Sequence, residues 1–404
     1  MKPGTKKEAC VVLVSSVLIC LVIGIAYCWS VFEKALVQKN GWSNTQASLP
    51  YSVFMLFYAV SMLLGGHLQR RLGIRRTCML GSSILVMGLA LSWFSCSVPG
   101  VTLGFGVLGG LGQAMCYSCV VSTPLKWVSA DRRGLAAGAT TGAVGVSSIY
   151  MTPLITAAID KNGVPSGFFT MLLIVAPVVL LLSHCVTAPP SSSPGGGKTP
   201  ACSDTPPSMR ELFGNRTMYK IFFLSFSCSL YGQIIVGHIA NIAYVQIGTE
   251  NGHFFVVLLA AFNCIGRFSC GVLSDYIPGP RLLQIIYSVG AANILLFVFY
   301  QSWIVLAIGT ALIGFGYGAS HSVVPAIISG CFGAENFSFY FGVTSLAAGF
   351  AGTCGPLLAG FAIDSSGTYL YAYLVGAVCL GLAAFVAGKI KLAASERKEP
   401  CGNG

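Results

Sequence analysis

The chain has 404 residues, of which 55% are hydrophobic and only 9% charged. This composition excludes an ordinary soluble globular domain, in which about a quarter of the residues are charged. The net charge of +11 is compatible with nucleic-acid binding, but the basic residues fall where a membrane protein would place them.

Twelve apolar segments follow one another, and a helix needs about 20 such residues to cross a hydrocarbon core. A helix rises about 1.5 Å per residue, so spans of this length can cross the core. The first six spans are predicted at approximately 9–32, 46–68, 77–96, 101–125, 134–158 and 166–187. In the second half, spans seven, eight, ten and eleven are predicted at 218–247, 253–274, 303–329 and 337–363.

A Pro-, Ser- and Gly-rich stretch divides the twelve segments into two groups of six. The predicted organisation is an N-terminal six-helix half over 1–187, a cytosolic flexible linker over 188–217 and a C-terminal six-helix half over 218–404. The expected fold class is therefore an all-α membrane protein with twelve transmembrane helices.

The basic residues lie mostly on one side of this model. Nineteen of the 23 Lys and Arg fall on the side of the termini and the linker. Only Lys34, Lys39 and Lys161 fall on the other side, and Arg267 is the remaining one. Because cytosolic loops carry the excess of positive charge, both termini are expected in the cytosol. The plasma membrane is the expected location, with an organelle membrane as the alternative.

Arg267 lies well inside predicted span eight. A charged side chain at that depth costs about 2.5–3.5 kcal/mol on insertion scales, so it should face a protein interior or a watery cavity. Asn263, Arg267, Cys270 and Ser274 share one helical stripe of small and polar residues. All twelve acids are predicted in loops or at span ends, which indicates that the partner of Arg267 is an anion arriving from outside.

Tyrosines and histidines supply the other candidate site residues. The substrate-binding set predicted around Arg267 is Asn263, Tyr27, Tyr51, Tyr117, Tyr317, His238 and His321. Each histidine has the alternative of a structural hydrogen bond to a neighbouring helix. With no acid predicted in mid-membrane, only His321 and His238 could titrate there near neutral pH. Exchange, facilitated diffusion or proton linkage through His321 is therefore expected.

The second half repeats motifs of the first at a nearly constant offset. Gly66 to Arg76 matches Gly271 to Arg281 at an offset of 205, and Gly142 to Gly145 matches Gly349 to Gly352 at 207. Pro153 and Asp160 match Pro356 and Asp364 at 203 and 204. Two parallel six-helix pseudo-repeats resemble the major facilitator fold, in which the substrate binds at the midplane between the halves.

Several stretches resemble the oxalate–formate antiporter and monocarboxylate transporter branch of this superfamily. They are Gly24 to Phe32 in span one, Lys126 to Gly138 before span five, Gly314 to Gly318 in span ten and Phe332 to Gly342 before span eleven. The resemblance implies that Arg267 is the substrate-binding arginine of span eight. It also implies a lysine in span eleven and an aspartate four residues before the arginine, where this chain has Ala348 and Asn263.

These observations predict a secondary active or facilitative transporter of a small organic anion that works by alternating access. Among such anions, a monocarboxylate is the favoured substrate. The expected partners are that anion, the lipid bilayer, and a proton or a counter-transported anion, with no nucleic acid. The alternatives are a carrier of an amino acid or other zwitterionic or neutral metabolite, and a non-transporting solute receptor. Neither an enzyme nor a cofactor or metal is expected, and Cys116 and Cys119 are interpreted as packing residues.

Overall fold

A computed structural model describes residues 6–127, 133–188, 215–274 and 276–390. Within these ranges the chain forms helices and short connections, with no strand among them. The predicted linker lies almost entirely outside the described residues, as do residues 128–132 of the motif before span five and Asp275.

The helices follow the predicted order of spans. Span one comprises Lys6–Val22, the 3₁₀ turn Ile25–Cys28 and Trp29–Asn40. Spans two and three are Asn44–Leu72 and Ile74–Phe94. Span four comprises Val98–Val101, the π-helical Thr102–Gly109 and Gly110–Ser122, and Pro124–Trp127 follows it. Spans five and six are Arg133–Asn162 and Val164–Leu182, the latter extended by the 3₁₀ turn Ser183–Cys185.

Spans seven to nine are Arg216–Ile247, Gly252–Leu273 and Gly279–Leu296, with a closing 3₁₀ turn at Phe297–Phe299. Spans ten and eleven are joined without a break in Trp303–Ser366, whose two apolar segments are Trp303–Phe332 and Tyr340–Ser366. Span twelve is Leu370–Ala387.

Eleven of these segments are long and apolar enough to cross a membrane. The remaining long helix, Asn44–Leu72, has 29 residues, which exceeds the about 20 that a crossing needs. Twelve long helical segments therefore follow one another in the described parts of the chain, as the sequence predicts. The described chain begins and ends on one face, here called the terminal face, where Lys220 Nζ donates to the carbonyl of Lys389 at 3.2 Å. The other face is called the opposite face.

Span one is interrupted near its middle, at Gly24. A methyl group on Gly24 would collide with the carbonyl of Val144 and the side chain of Ser147 in span five, so only glycine permits this close approach of two helices. The interruption frees backbone carbonyls, which lack water inside a bilayer. The Tyr150 hydroxyl bonds one of them, the carbonyl of Leu21, at 2.9 Å.

The repeat of the sequence reappears in the backbone. Gly41 and Gly248, which are 207 residues apart, end spans one and seven with φ of 69° and 66°. Gly163 and Gly367, which are 204 apart, end spans five and eleven with φ of 82° and 69°. Glycine adopts a positive φ without steric cost, which explains why it follows these helices. The two halves thus turn at equivalent positions.

Small residues bring the halves together at two interfaces. In spans two and eleven, Ala59 and Met55 face Gly349 and Gly352, and a methyl group on either glycine would meet them. In spans five and eight, Gly145 lies against Cys264 in the same way. Glycines at these positions let helix backbones approach closely, so van der Waals contact holds the halves together.

Candidate functional site

Arg267 is half-buried in span eight and its guanidinium bonds to neutral groups. Its Nε donates to Asn263 Oδ1 at 2.9 Å, one helical turn earlier, and its Nη2 donates to the Tyr27 hydroxyl of the other half at 3.4 Å. No ion pair joins Arg267 to an acid of the described chain. The charge is therefore solvated by hydroxyl and amide oxygens and keeps its positive sign.

Span ten packs backbone to backbone against span eight. Methyl groups on Gly314 and Gly318 would collide with the carbonyls of Leu259 and Asn263. Ser322 of span ten also donates to the carbonyl of Arg267 at 2.8 Å. This close packing sets the position of span ten, and with it the side chains of its inward face, relative to the guanidinium.

His321 and Tyr317 are the two residues that this packing brings to Arg267, since both lie close enough to interact with it electrostatically. Their rings meet edge to face with centroids 4.6 Å apart. His321 Nδ1 lies 2.9 Å from the Tyr317 carbonyl. Because a carbonyl only accepts, Nδ1 carries a hydrogen, and in the neutral ring Nε2 presents a lone pair.

Tyrosines of both halves lie near enough to the guanidinium to interact with it. Tyr27 and Tyr117 of the first half and Tyr317 of the second interact with it electrostatically. Tyr58 of span two does so as well, and its ring lies 6.3 Å from that of Tyr117. Tyr58 is absent from the predicted set. Its spacing of seven residues from Tyr51 was the available signal, since two full helical turns place both on one face.

Tyr51 lies one layer closer to the opposite face. Its hydroxyl donates to Gln233 Oε1 at 2.6 Å, and Gln233 Nε2 donates to the Tyr317 hydroxyl at 3.0 Å. Tyr51 and Gln233 belong to different halves and are both buried. The predicted residue Tyr51 therefore joins the halves on the opposite-face side of Arg267, and this chain of hydrogen bonds ends at Tyr317.

His238 lies further still toward the opposite face. It is fully buried, and its ring nitrogens face Glu33, Ser48 and the carbonyl of Pro356. The expectation that all twelve acids lie in loops or at span ends is wrong for Glu33, which is also fully buried. Glu33 follows directly on the apolar run of span one, so the sequence pattern placed it at a helix end. The helix instead continues to Asn40.

The exposure of the predicted site residues decreases toward the opposite face. The His321 side chain is exposed, whereas Tyr317, one turn closer to the opposite face, is only 5% exposed and Tyr51 only 1%. Among the described residues, the strong hydrogen bonds that join the halves lie between Arg267 and the opposite face. The structure is therefore closed on the opposite face, as one of the two states of an alternating-access carrier would be.

The fold is that of a multi-pass helical membrane transporter. The family model of the Major Facilitator Superfamily matches residues 14–299 and 281–400, and the chain belongs to this superfamily. The predicted fold class and the predicted family are thereby confirmed.

Three curated relatives align over most of the chain. An uncharacterised MFS-type transporter of Escherichia coli, YhjX, is 27% identical over 353 residues, which are 85% of each chain. The oxalate:formate antiporter of Oxalobacter formigenes is 23% identical over 91% of this chain and 89% of its own. Monocarboxylate transporter 13 of Rattus norvegicus is 23% identical over 89% of this chain and 83% of its own.

Two solved structures share the fold. An inward-facing, unoccupied bacterial homologue of the human lysosomal transporter Spinster superposes with a TM-score of 0.71 at 16% identity, covering 96% of each chain. A D-xylose–proton symporter superposes with a TM-score of 0.70 at 15% identity, covering 94% of this chain and 97% of its own. At these identities the likeness describes the architecture.

Proposed function

We propose that this protein carries a small organic anion with one carboxylate, by alternating access, and that Arg267 binds the carboxylate. The observation that supports this most is the pairing of Arg267, whose partners in the described chain are an amide oxygen and a hydroxyl. A cation that is partly removed from water and lacks a counter-charge is costly. An anionic substrate supplies the missing charge, so the cost of holding Arg267 in span eight becomes binding energy for the substrate.

The hydrogen-bond inventory of Arg267 favours a carboxylate. A guanidinium has five N–H donors; Nε serves Asn263 and the contact from Nη2 to Tyr27 is long at 3.4 Å. The two terminal nitrogens can therefore bind a carboxylate in the bidentate fork that makes such pairs strong. One cation matches one negative charge. A dicarboxylate would place its second charge near Ala348, where the resemblance implies a lysine.

The relatives support the same substrate class. Their names describe an oxalate:formate antiporter and monocarboxylate transporters, and the neutral Ala348 distinguishes this chain toward a single carboxylate. An amino acid is the weaker alternative, because the described neighbours of Arg267 offer only neutral oxygens to the ammonium group of such a substrate. We further propose that the terminal face is cytosolic, that the plasma membrane houses the carrier, and that the transport mode is exchange, symport or facilitated diffusion.

The test is uptake into proteoliposomes with labelled monocarboxylates, dicarboxylates and amino acids. Wild type should take up a monocarboxylate, and Arg267→Gln should lower this at least a hundredfold without loss of folded protein. Arg267→Lys should recover little, since a point charge lacks the planar fork. Ala348→Lys should weaken monocarboxylate uptake and favour a dicarboxylate. Arg281→Gln, at the terminal face, is the matched control, and normal uptake by Arg267→Gln would refute the proposal.

A further inference from the structure

A buried acid–base pair joins the two halves near the opposite face. Glu33 of the first half and His238 of the second have fully buried side chains, and Glu33 Oε1 lies 3.1 Å from His238 Nδ1. The pair lies apart from Arg267, which has no hydrogen bond to either residue. The pair therefore lies apart from the proposed carboxylate site, at a place where the two halves meet when this face is closed.

The hydrogen-bond partners of His238 determine where its hydrogens lie. Nε2 is 2.9 Å from the Pro356 carbonyl and 3.1 Å from Ser48 Oγ. Ser48 already donates its hydrogen to the carbonyl of Asn44 at 2.6 Å, so both groups facing Nε2 are acceptors. Nε2 must therefore carry a hydrogen, and the second ring nitrogen, Nδ1, faces the carboxyl group.

One further proton must lie between Nδ1 and Glu33. Without it, a lone pair of Nδ1 would face a lone pair of the carboxylate at 3.1 Å, and the carboxylate would be buried without a counter-charge. Its Oε2 has no hydrogen-bond partner, and Asn241 Nδ2 reaches Oε1 at only 3.4 Å. With the proton present, the pair is neutral overall and bonded. The closed state thus holds one proton here.

Other charged groups around the pair have their own partners. Asp364 of span eleven accepts four hydrogen bonds from the backbone and side chains of Asn44 and Thr45, at 2.6–2.9 Å. Lys34 points away to Glu250 at 2.8 Å. The Tyr369 hydroxyl accepts from Asn241 at 2.8 Å. Asp364, Lys34 and Tyr369 therefore each have a hydrogen-bond partner that requires no added proton.

We propose that Glu33 and His238 form a proton-binding site that locks the opposite face: closing this face takes up one proton, and opening it releases the proton. Opening separates the two halves, which takes Glu33 and Ser48 away from His238 and Pro356. Each group then meets water. The proton is taken from, and returned to, the solution at the opposite face, so the site regulates the carrier by pH without moving protons across the membrane.

The pH dependence follows from counting protons. A hydrated imidazole titrates near pH 6.5 and a hydrated carboxyl group near pH 4.3. Above about pH 6.5 the open state lacks the proton that the closed state holds, so the closing equilibrium constant falls about tenfold per pH unit. Between about pH 4.3 and 6.5 the open state already carries one proton on His238, and closing is independent of pH.

The experiment measures the distance between the halves at the opposite face in the substrate-free protein, so its result is independent of the proposed substrate. Spin labels carried by noncanonical amino acids replace the exposed Gln38 and Thr368, which leaves all 16 cysteines in place. Pulsed electron resonance in detergent from pH 5 to 9 gives the closed fraction. In the wild type, the ratio of closed to open molecules should fall about tenfold per pH unit above about pH 6.5 and stay constant below it.

Two variants separate the lock from general weakening of this face. In Glu33→Gln the amide can donate to Nδ1 without an added proton, so the ratio of closed to open molecules should not change with pH above about pH 6.5. Below that pH the ratio should fall, because His238 becomes protonated in the open state. Asp364→Asn, the matched control, should lower closure by a constant factor at every pH and keep the wild-type slope. A flat wild-type profile above pH 7, or a Glu33→Gln profile identical to it, would overturn the proposal.

Discussion

At the scale of single residues, the character of the site depends on the neutrality of Asn263. Its Oδ1 accepts from Arg267 Nε at 2.9 Å, which fixes the orientation of the guanidinium without cancelling its charge. An acid at this position would occupy the same place and pair with the arginine. An amide at position 263 therefore leaves the positive charge of the site in place, whereas a carboxylate at the same position would neutralise it.

Asn263→Asp is therefore expected to abolish high-affinity anion uptake at neutral pH. The new carboxylate would form a charge-assisted bond to Arg267 and compete with the substrate, lowering its affinity about 10- to 100-fold. Acidification should protonate the aspartate and restore binding. The measurement is monocarboxylate uptake by proteoliposomes at several pH values. Asn263→Ser, which stays neutral, is the control, and equal pH dependence of both variants would contradict this reasoning.

At the scale of helices, glycines decide which side chains reach Arg267. Gly314 and Gly318 lie against the backbone of span eight, and Gly142 and Gly145 of span five lie against Phe268 and Cys264. Span eight is thus held between span ten of its own half and span five of the other half. Because spans eight and ten meet backbone to backbone, a small change in one of these helices displaces the other.

Gly318→Ala should disturb this packing. The added methyl group would come within 2.9 Å of Asn263 Cα, and overpacking of this kind costs about 1–3 kcal/mol. We expect a lower unfolding temperature in detergent and slower uptake per folded molecule, because His321 and Tyr317 move relative to Arg267. Gly381→Ala is the control, since nothing lies within 4 Å of that position in span twelve. If both variants unfold at the same temperature, backbone contact at Gly318 is unimportant.

At the scale of the whole molecule, closure of the opposite face is built in layers. Nearest the site, Tyr51, Gln233 and Tyr317 form a chain of hydrogen bonds across the halves. Beyond it lie the Glu33–His238 pair and then Asp364 with Asn44. Each layer joins residues that must part when the carrier opens to this face, so each contributes to the balance between the two states.

Tyr51→Phe should shift this balance toward the open state. Loss of the 2.6 Å bond leaves Gln233 Oε1 buried without its partner, which costs about 1–3 kcal/mol in the closed state only. The closed fraction at pH 7, measured with the same pair of spin labels, should fall about tenfold or more relative to the open fraction. Tyr287→Phe, whose hydroxyl bonds Leu224 within one half, should leave it unchanged. Equal effects of the two variants would show that the hydrogen bonds of Tyr51 do not hold the opposite face closed.

The orientation of the molecule in the membrane has its own test. The distribution of basic residues predicts a cytosolic terminal face. Tags at residue 200 and at the C-terminus should therefore resist membrane-impermeant reagents in intact cells. A tag between the exposed Lys161 and Asn162, at the end of span five, should be labelled. Labelling of residue 200 from outside would reverse the orientation.

The sequence alone determined the architecture, because twelve apolar runs can satisfy their backbones in a bilayer only as helices. It also singled out Arg267, since a cation is conspicuous in an apolar run, and the structure groups Asn263, Tyr27, Tyr117, Tyr317 and His321 around it. Their binding roles stay predictions.

Only the tertiary structure decided which helix faces which. Helical periodicity gives the polar face of each span but not its neighbour, so the predicted set included Tyr51 and His238, which lie closer to the opposite face, and not Tyr58, which interacts with Arg267. Glu33 is 205 residues from His238 in the chain, and its acidic character at the end of an apolar run favoured an exposed position. Its burial became possible because the other half supplies the imidazole that satisfies it, a contact that no local pattern encodes.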